Sequence, residues 1–145
     1  MWVKAASAAV WTDNTARNLF SIADTAGNNS FVLWKYSDNV TYVEHHAGGV
    51  SLQRAITIAL TDWFQIGMTW SKTANQKITY LNAAPQGAVQ AMSGTWADGL
   101  NNTKFCIGAA TTVPIRVWNG QIAHVALWNA ALTPGQVNSL YQRWN

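Results

Sequence analysis

The residues able to carry chemistry are few and scattered. The chain has 145 residues, with one cysteine and three histidines among them. Cys106 lies in the apolar alternation Lys104-Phe105-Cys106-Ile107-Gly108. That setting predicts a buried, inert thiol, and a single cysteine excludes an internal disulfide or a multi-cysteine zinc site. His45-His46 resembles a metal-binding pair, but adjacent residues of a strand project to opposite faces and cannot converge on one ion. His124 sits among apolar residues and reads as a core histidine with its hydrogen bonds satisfied. Glu44 and Asp13, Asp24, Asp38, Asp62 and Asp98 stand apart, and no Ser-His-Asp or Cys-His grouping can be assembled. What remains is binding chemistry. Nine tryptophans stand in a chain rich in Asn, Gln, Ser and Thr. An indole offers an apolar platform to the C–H face of a sugar, and neighbouring amides take its hydroxyls.

Composition narrows the partners. Charged residues make up 10% of the chain, against roughly 25% in an ordinary soluble protein. The nine Lys and Arg residues are never adjacent, so the net charge of +3 reflects few acids rather than a basic face, and nucleic acid is excluded as a partner. No apolar run approaches the ~20 residues needed to span a bilayer. The start Met1-Trp2-Val3-Lys4 lacks the basic head and apolar stretch of a signal peptide. Such a neutral surface suits sugar contact or close packing within a large assembly.

These residues must be positioned mainly by strands. Alternation and turn chemistry predict strands at Trp2 to Ala5, Asn18 to Ala23, Ser30 to Tyr36, Val40 to His45 and Arg54 to Leu60. Further strands are expected at Trp63 to Ser71, Lys77 to Leu81, Ala88 to Met92, Lys104 to Ala109 and Arg116 to Trp128. In the last of these, apolar residues on both faces imply cover on both sides. One helix closes the chain: Thr133 suits the N-cap, Pro134 the first helical position and Gln136 a capping-box partner. Val137, Leu140, Tyr141 and Trp144 follow at helical spacing. About ten short strands and one terminal helix point to a single all-β domain over 1–145, an antiparallel β-sandwich.

In order and spacing these segments resemble the concanavalin A-like lectin/glucanase superfamily, in particular its laminin-G-like jelly-roll branch. Trp2-Val3-Lys4, the hairpin from Asp24 to Leu33, and Asp62 to Trp70 carry the resemblance. So do Lys77 to Asn82, Cys106-Ile107-Gly108 and Trp118 to Leu140, and together they span nearly the whole chain. The branch usually has one or two strands before the one resembling Trp2-Val3-Lys4, so a sandwich edge is expected to be missing here or supplied by a neighbour. The glucanase side of the superfamily works with two carboxylates on one strand. Glu44 has no acidic partner two to four residues away, so an enzyme is not expected. Relatives hold calcium at the sandwich rim through hard oxygen ligands. By that resemblance Asp98, Asn101 and Asn102 could contribute to such a site, as could Asp24, Asn28 and Asn29.

The resemblance assigns Trp2, Trp63, Trp70 and Trp128 to core positions, while Trp118 and Trp144 read as packing residues. Trp11, Trp34 and Trp96 are left as ligand contacts, with Asp98 and Asn101 beside Trp96. Two functions follow. One is a non-catalytic, lectin-like module binding glycan through loop aromatics. The other is a structural subunit, such as a viral capsid decoration or fibre protein or part of an extracellular filament, whose exposed aromatics and open edge contact other subunits. Both imply an extracellular or virion-surface location, and the second implies an oligomer or larger assembly.

Overall fold

The computed structural model describes residues 1–96 and 99–144. Ten strands and one helix occur in the order β1 (Trp2–Ala5), β2 (Arg17–Ala23), β3 (Ser30–Lys35), β4 (Thr41–Ala47), β5 (Val50–Ile56), β6 (Phe64–Ser71), β7 (Gln76–Leu81), β8 (Ala84–Pro85), β9 (Asn101–Ile107), β10 (Gly120–Ala123) and α1 (Pro134–Trp144). They form two five-stranded sheets, β10-β1-β6-β7-β8 and β5-β4-β3-β2-β9. Every strand pairing is antiparallel. Residues meet between the sheets, alternate ones along each strand except at a β-bulge in β2: Val3 from β1, Leu19 and Phe20 from β2, Phe31 and Leu33 from β3, Val43 from β4, Phe64 and Ile66 from β6. The chain is thus an all-β sandwich with one short C-terminal helix.

That helix begins where its capping residues place it. The Gln136 amide N–H donates to Thr133 Oγ1 at 3.3 Å, and the Thr133 N–H donates back to Gln136 Oε1 at 2.8 Å. Both orphan donors of the first turn region are satisfied reciprocally. The apolar stripe then lies on the outer face of the first sheet, where Tyr141 stacks on Trp2 at 5.5 Å with the rings 8° from parallel. Trp2 is 5% exposed and alternates with the core residue Val3. The helix therefore covers the outer face at β1.

Three expectations about the elements need correction. The strand expected over Arg116 to Trp128 is realised only as Gly120–Ala123. His124 has φ +49°, a left-handed conformation that breaks the alternation a strand requires. Ala88 to Met92 forms no strand and supplies one isolated bridge, Gln90 to Lys77. The strand expected over Arg54 to Leu60 is Val50–Ile56 instead. It starts directly after the Gly48-Gly49 turn, where both glycines have positive φ, and pairs along its whole length with β4.

Two lysines help close the sandwich from within. Lys35 Nζ is fully buried, 2.8 Å from Asp13 Oδ1 and 3.1 Å from the Thr15 carbonyl. Asp13 also pairs with Arg17, so the polar loop after Trp11 is tied down by its own charges. Lys77, also fully buried, donates to the carbonyls of Val43 and Leu52 at 2.7 Å each, joining β7 to the opposite sheet. Burial pushes its amine down to about 8.

The candidate binding face

A two-layer sandwich has four sheet faces. Two face each other in the core, and α1 packs at β1 on the outer face of the first sheet. Among the described residues no helix lies over the outer face of β5-β4-β3-β2-β9; the segment 110–112 meets it at the β2–β9 end, beside Ser21, Ala23 and Cys106, and Arg116 reaches Trp34. Residues of β3, β4 and β5 rise from this face in rows fixed by strand register. Trp34, Tyr42 and Ala55 form one row, and Val32, Glu44 and Gln53 form the next. His46 and Ser51 stand opposite each other in the third. Successive rows are two residues apart along a strand, about 7 Å.

The first row is aromatic. Trp34 lies 4.9 Å from Tyr36 and 6.1 Å from Tyr42 between ring centroids, and Tyr36 is 40% exposed. The Arg116 guanidinium carbon sits 5.5 Å from the Trp34 ring centroid. This cation–π contact is anchored by the backbone, because the Asn18 N–H donates to the Arg116 carbonyl at 2.7 Å. The Trp34 indole N–H has no acceptor among the described residues. Tyr42 donates its hydroxyl to Asp38 Oδ2 at 2.7 Å. That bond raises the Tyr42 phenol above its ordinary range and lowers the Asp38 carboxyl below its own. The ring is thus fixed in orientation.

The second row is polar. Glu44 accepts from Ser51 Oγ at 2.6 Å and from Gln53 Nε2 at 3.1 Å. Its carboxylate is held upright on the sheet beside an amide and a hydroxyl. Strand β4 reads Thr-Tyr-Val-Glu-His-His-Ala, so no second carboxylate shares the strand.

The other expected contacts lie elsewhere. Trp11, expected to stand free in a polar loop, is 4% exposed and belongs to the core. It ends a 3-10 turn, Ala8–Trp11. The polar residues after it face the Lys35 network rather than a ligand, which is why its flanks misled. Trp96 is half-buried, stacked 5.0 Å from Phe31 and 5.7 Å from His45; its ring covers one end of the core instead of standing as an open platform. Asn101 spends its carboxamide oxygen on the N–H and hydroxyl of Thr103, both at 2.8 Å, and its amide on Thr25. Asp98 lies outside the described residues. Asn102 is exposed on β9. Asn29 is likewise engaged, donating to Asp24 Oδ2 and accepting from the Gly48 N–H. Burial alone would lift the Asp24 carboxyl, but bonds from Asn29 and the backbone of residues 27–29 leave it below its usual range. Among the described residues no three His, Cys, Asp or Glu side chains gather.

His45 and His46 do point apart, the first 3% exposed and the second half-buried on the open face. Trp63 and Trp128, expected in the core, are 39% and 46% exposed. The sequence signal that located the aromatic cluster is the alternation Val32, Trp34, Tyr36 along β3 and the residue that follows it. Tyr42 and Glu44 become partners of that row only through the β3–β4 register, which no local pattern displays.

The loop carrying Trp96 is seated by two glycines. A Cβ at Gly94 (φ +76°) would lie 1.9 Å from the Ala47 carbonyl oxygen, and one at Gly48 (φ +56°) 2.6 Å from that of Thr95. Gly94→Ala is therefore expected to unseat Trp96 from Phe31 and to cost about 1–3 kcal/mol of stability. A lowered melting temperature with red-shifted tryptophan emission would show it; an unchanged melting temperature would contradict the seating.

The comparisons with known proteins agree with this architecture. A laminin G family model, described as Concanavalin A-like lectin/glucanases superfamily, matches residues 1–138. The chain belongs to that family. In three dimensions the laminin-G-like domain is similar to a native heptameric SAP-like pentraxin from Limulus polyphemus, at 18% identity and TM-score 0.66, covering 97% of this chain and 66% of that one. It is also similar to an S-layer domain-containing protein from Clostridium thermocellum, at 17% identity and TM-score 0.40, covering 88% of this chain and 63% of that one. The laminin-G-like domain thus spans just under two thirds of either solved chain. No curated protein sequence matches it. At this level of identity the pentraxin likeness speaks for the jelly-roll fold. Among the described residues no helix is long and apolar enough to cross a membrane.

Proposed function

We propose that this laminin-G-like domain is a non-catalytic binding module that takes a glycan on the open face of β5-β4-β3-β2-β9. The observation that carries the reading is the aromatic cluster of Trp34, Tyr36 and Tyr42 standing one row from Glu44 and Gln53, with Ser51 bonded to Glu44 from the row beyond. A pyranose ring resting on the aromatics turns its hydroxyls toward a carboxylate and an amide about 7 Å along the strands. Membership of a family of carbohydrate- or protein-binding modules supports the same reading; an extracellular or virion-surface location belongs to the proposal.

Binding on a glycan array, followed by titration calorimetry of the best sugar, tests it. Trp34→Ala is expected to weaken binding at least tenfold while circular dichroism stays unchanged, since the side chain is only half-buried. An array without a bound sugar, or unchanged affinity in the folded Trp34→Ala protein, would remove the proposal.

A second reading, a subunit of an assembly, draws on one observation: Leu127, Trp128 and Trp144 are 55%, 46% and 51% exposed. Sedimentation at micromolar concentration distinguishes it, because a clean monomer without partners contradicts assembly by self-association.

A further inference from the structure

The connection from β9 to β10 leaves the sandwich as a pinned excursion. The Trp118 N–H donates to the Gly108 carbonyl at 2.8 Å, and the Ala110 N–H to the Ile115 carbonyl at 3.0 Å. Both limbs are also tied to β2. The Gly108 N–H donates to the Leu19 carbonyl at 3.0 Å, and the Asn18 N–H to the Arg116 carbonyl at 2.7 Å. Trp118 is buried in the core and anchors the base. A surface connection ordinarily turns polar side chains to water. Here residues 111–117 are all exposed, yet three of them are β-branched and apolar. Val113, at 77% exposed, is the most exposed large apolar side chain described, and Ile115 and Val117 are each more than half exposed.

The tip also has few polar backbone groups to desolvate. The Val113 carbonyl accepts from the Thr111 hydroxyl, the Ile115 carbonyl from Ala110, and Pro114 has no N–H. Entry into an apolar phase is costly for unbonded backbone groups and far less so for bonded ones. Two cations flank the tip. Arg116 follows it in the chain, and Lys104 of β9 lines a cleft with Ala110, Thr111 and Thr112. Both are exposed, and neither makes an ion pair among the described residues. Residues 99–145 include no Asp or Glu. The carboxylate lining that cleft, Asp24, is buried and bonded to Asn29. A protein partner is met through aromatic or guanidinium anchors seated in closed pockets. A projecting tip of short aliphatic side chains with cations beside it matches hydrocarbon beneath anionic headgroups.

We propose that the tip formed by Val113, Pro114 and Ile115 is a docking point for an anionic lipid bilayer. Val113 and Ile115 enter the acyl boundary. Lys104 stays at the level of the lipid phosphates, and Arg116 adds its charge from its place over Trp34. The contact is separate from the sugar reading of the open face and does not rest on it.

The test sediments the whole chain with vesicles of phosphatidylcholine alone, and with vesicles of phosphatidylcholine and phosphatidylserine in equal parts. Saturable binding to the mixed vesicles is expected, roughly tenfold weaker on the neutral ones and falling as salt is raised. The double variant Val113→Ser with Ile115→Ser should bind mixed vesicles roughly tenfold more weakly. Its circular dichroism should not change, because both side chains face water. Lys104→Gln should weaken binding about fivefold. No binding to mixed vesicles overturns the proposal. So does full binding by the double variant, which would place the contact on another face. Soluble glycerophosphoserine bound as tightly as vesicles overturns it too, since the apolar tip would then play no part. Self-association of the native protein that is lost in the double variant, in place of vesicle binding, assigns the tip to a protein contact and overturns the bilayer. Vesicle binding without any sugar bound on the array keeps this inference and removes the open-face reading; the reverse removes this inference alone.

Discussion

Trp11→Ala is expected to lower the free energy of unfolding by about 3–5 kcal/mol, the range for deleting a large buried aromatic. The ring is 4% exposed and packs 5.9 Å from Phe64 and 5.5 Å from Trp118. Its indole N–H donates to the Leu60 carbonyl at 2.8 Å. Leu60 lies in the irregular stretch between β5 and β6, so this bond ties that connection to the core. Truncation removes apolar contact, leaves a cavity and strands a carbonyl. Trp11→Phe keeps most of the contact and is expected to cost less than half as much. Urea denaturation followed by circular dichroism measures both, and a Trp11→Ala cost below 1 kcal/mol would contradict the packing described. One corollary concerns binding assays. A Trp11→Ala protein that fails to bind sugar reports unfolding, whereas Trp34→Ala reports the surface.

Stability is expected to fall as pH drops from about 6.5 to about 4, by on the order of 2 kcal/mol from His45 alone. Burial, then the charges of Lys77 and His46, depress its imidazole to about 4. The sign follows from the depressed value. Below 6.5 the unfolded chain takes up a proton that the folded one refuses, so stability declines until the folded ring itself titrates near 4. Phe31 and Trp96 pack against the ring, Lys77 lies on the strand across the sandwich, and Glu44 and His46 flank it on β4. Its Nδ1 is buried without a partner among the described residues. His45→Phe preserves an aromatic ring there, removes the titration and is expected to flatten the profile between pH 6.5 and 4. Asp13 and Asp24, both held below the usual carboxylate range, continue the loss at lower pH in either protein. Urea midpoints at pH 7, 5.5 and 4.5 measure the difference. Parallel declines in the two proteins would acquit His45.

Alternation and turn chemistry located most strands because they are local properties. The β4–β5 hairpin is legible in Gly48-Gly49, and α1 in Thr133, Pro134 and Gln136. What the local pattern could not reveal is pairing. Val125 to Trp128 has the composition of a covered strand, yet it forms none, because its conformation depends on what stands next to it. The tryptophans fail for the same reason. Trp11 is flanked by Thr12, Asp13 and Asn14, which look solvent-facing, but Asp13 turns inward to Lys35. Trp63 and Trp128 occupy positions the family resemblance assigns to the core and are substantially exposed. The resemblance predicts where strands run; the fate of each side chain depends on neighbours distant in sequence. Trp34 was legible as a surface residue through its alternation with the core residues Phe31, Leu33 and Lys35 of β3. Its companions Tyr42 and Glu44 were not.

The inward placement of Lys35 and Lys77 has a practical consequence for handling the molecule. Of five lysines, only Lys4, Lys72 and Lys104 retain solvent access, and Lys4 shares its amine with Asp62 at 3.6 Å. None of these three belongs to the rows of Trp34, Tyr42, Glu44 or His46. Amine-reactive dyes and coupling resins will therefore attach away from the aromatic row. Lys4 and Lys72 lie off the sheet of that row, whereas Lys104 belongs to its β9 strand beside Ser21 and Cys106, so a Lys104→Arg preparation bound to a chip should display the open face to solution.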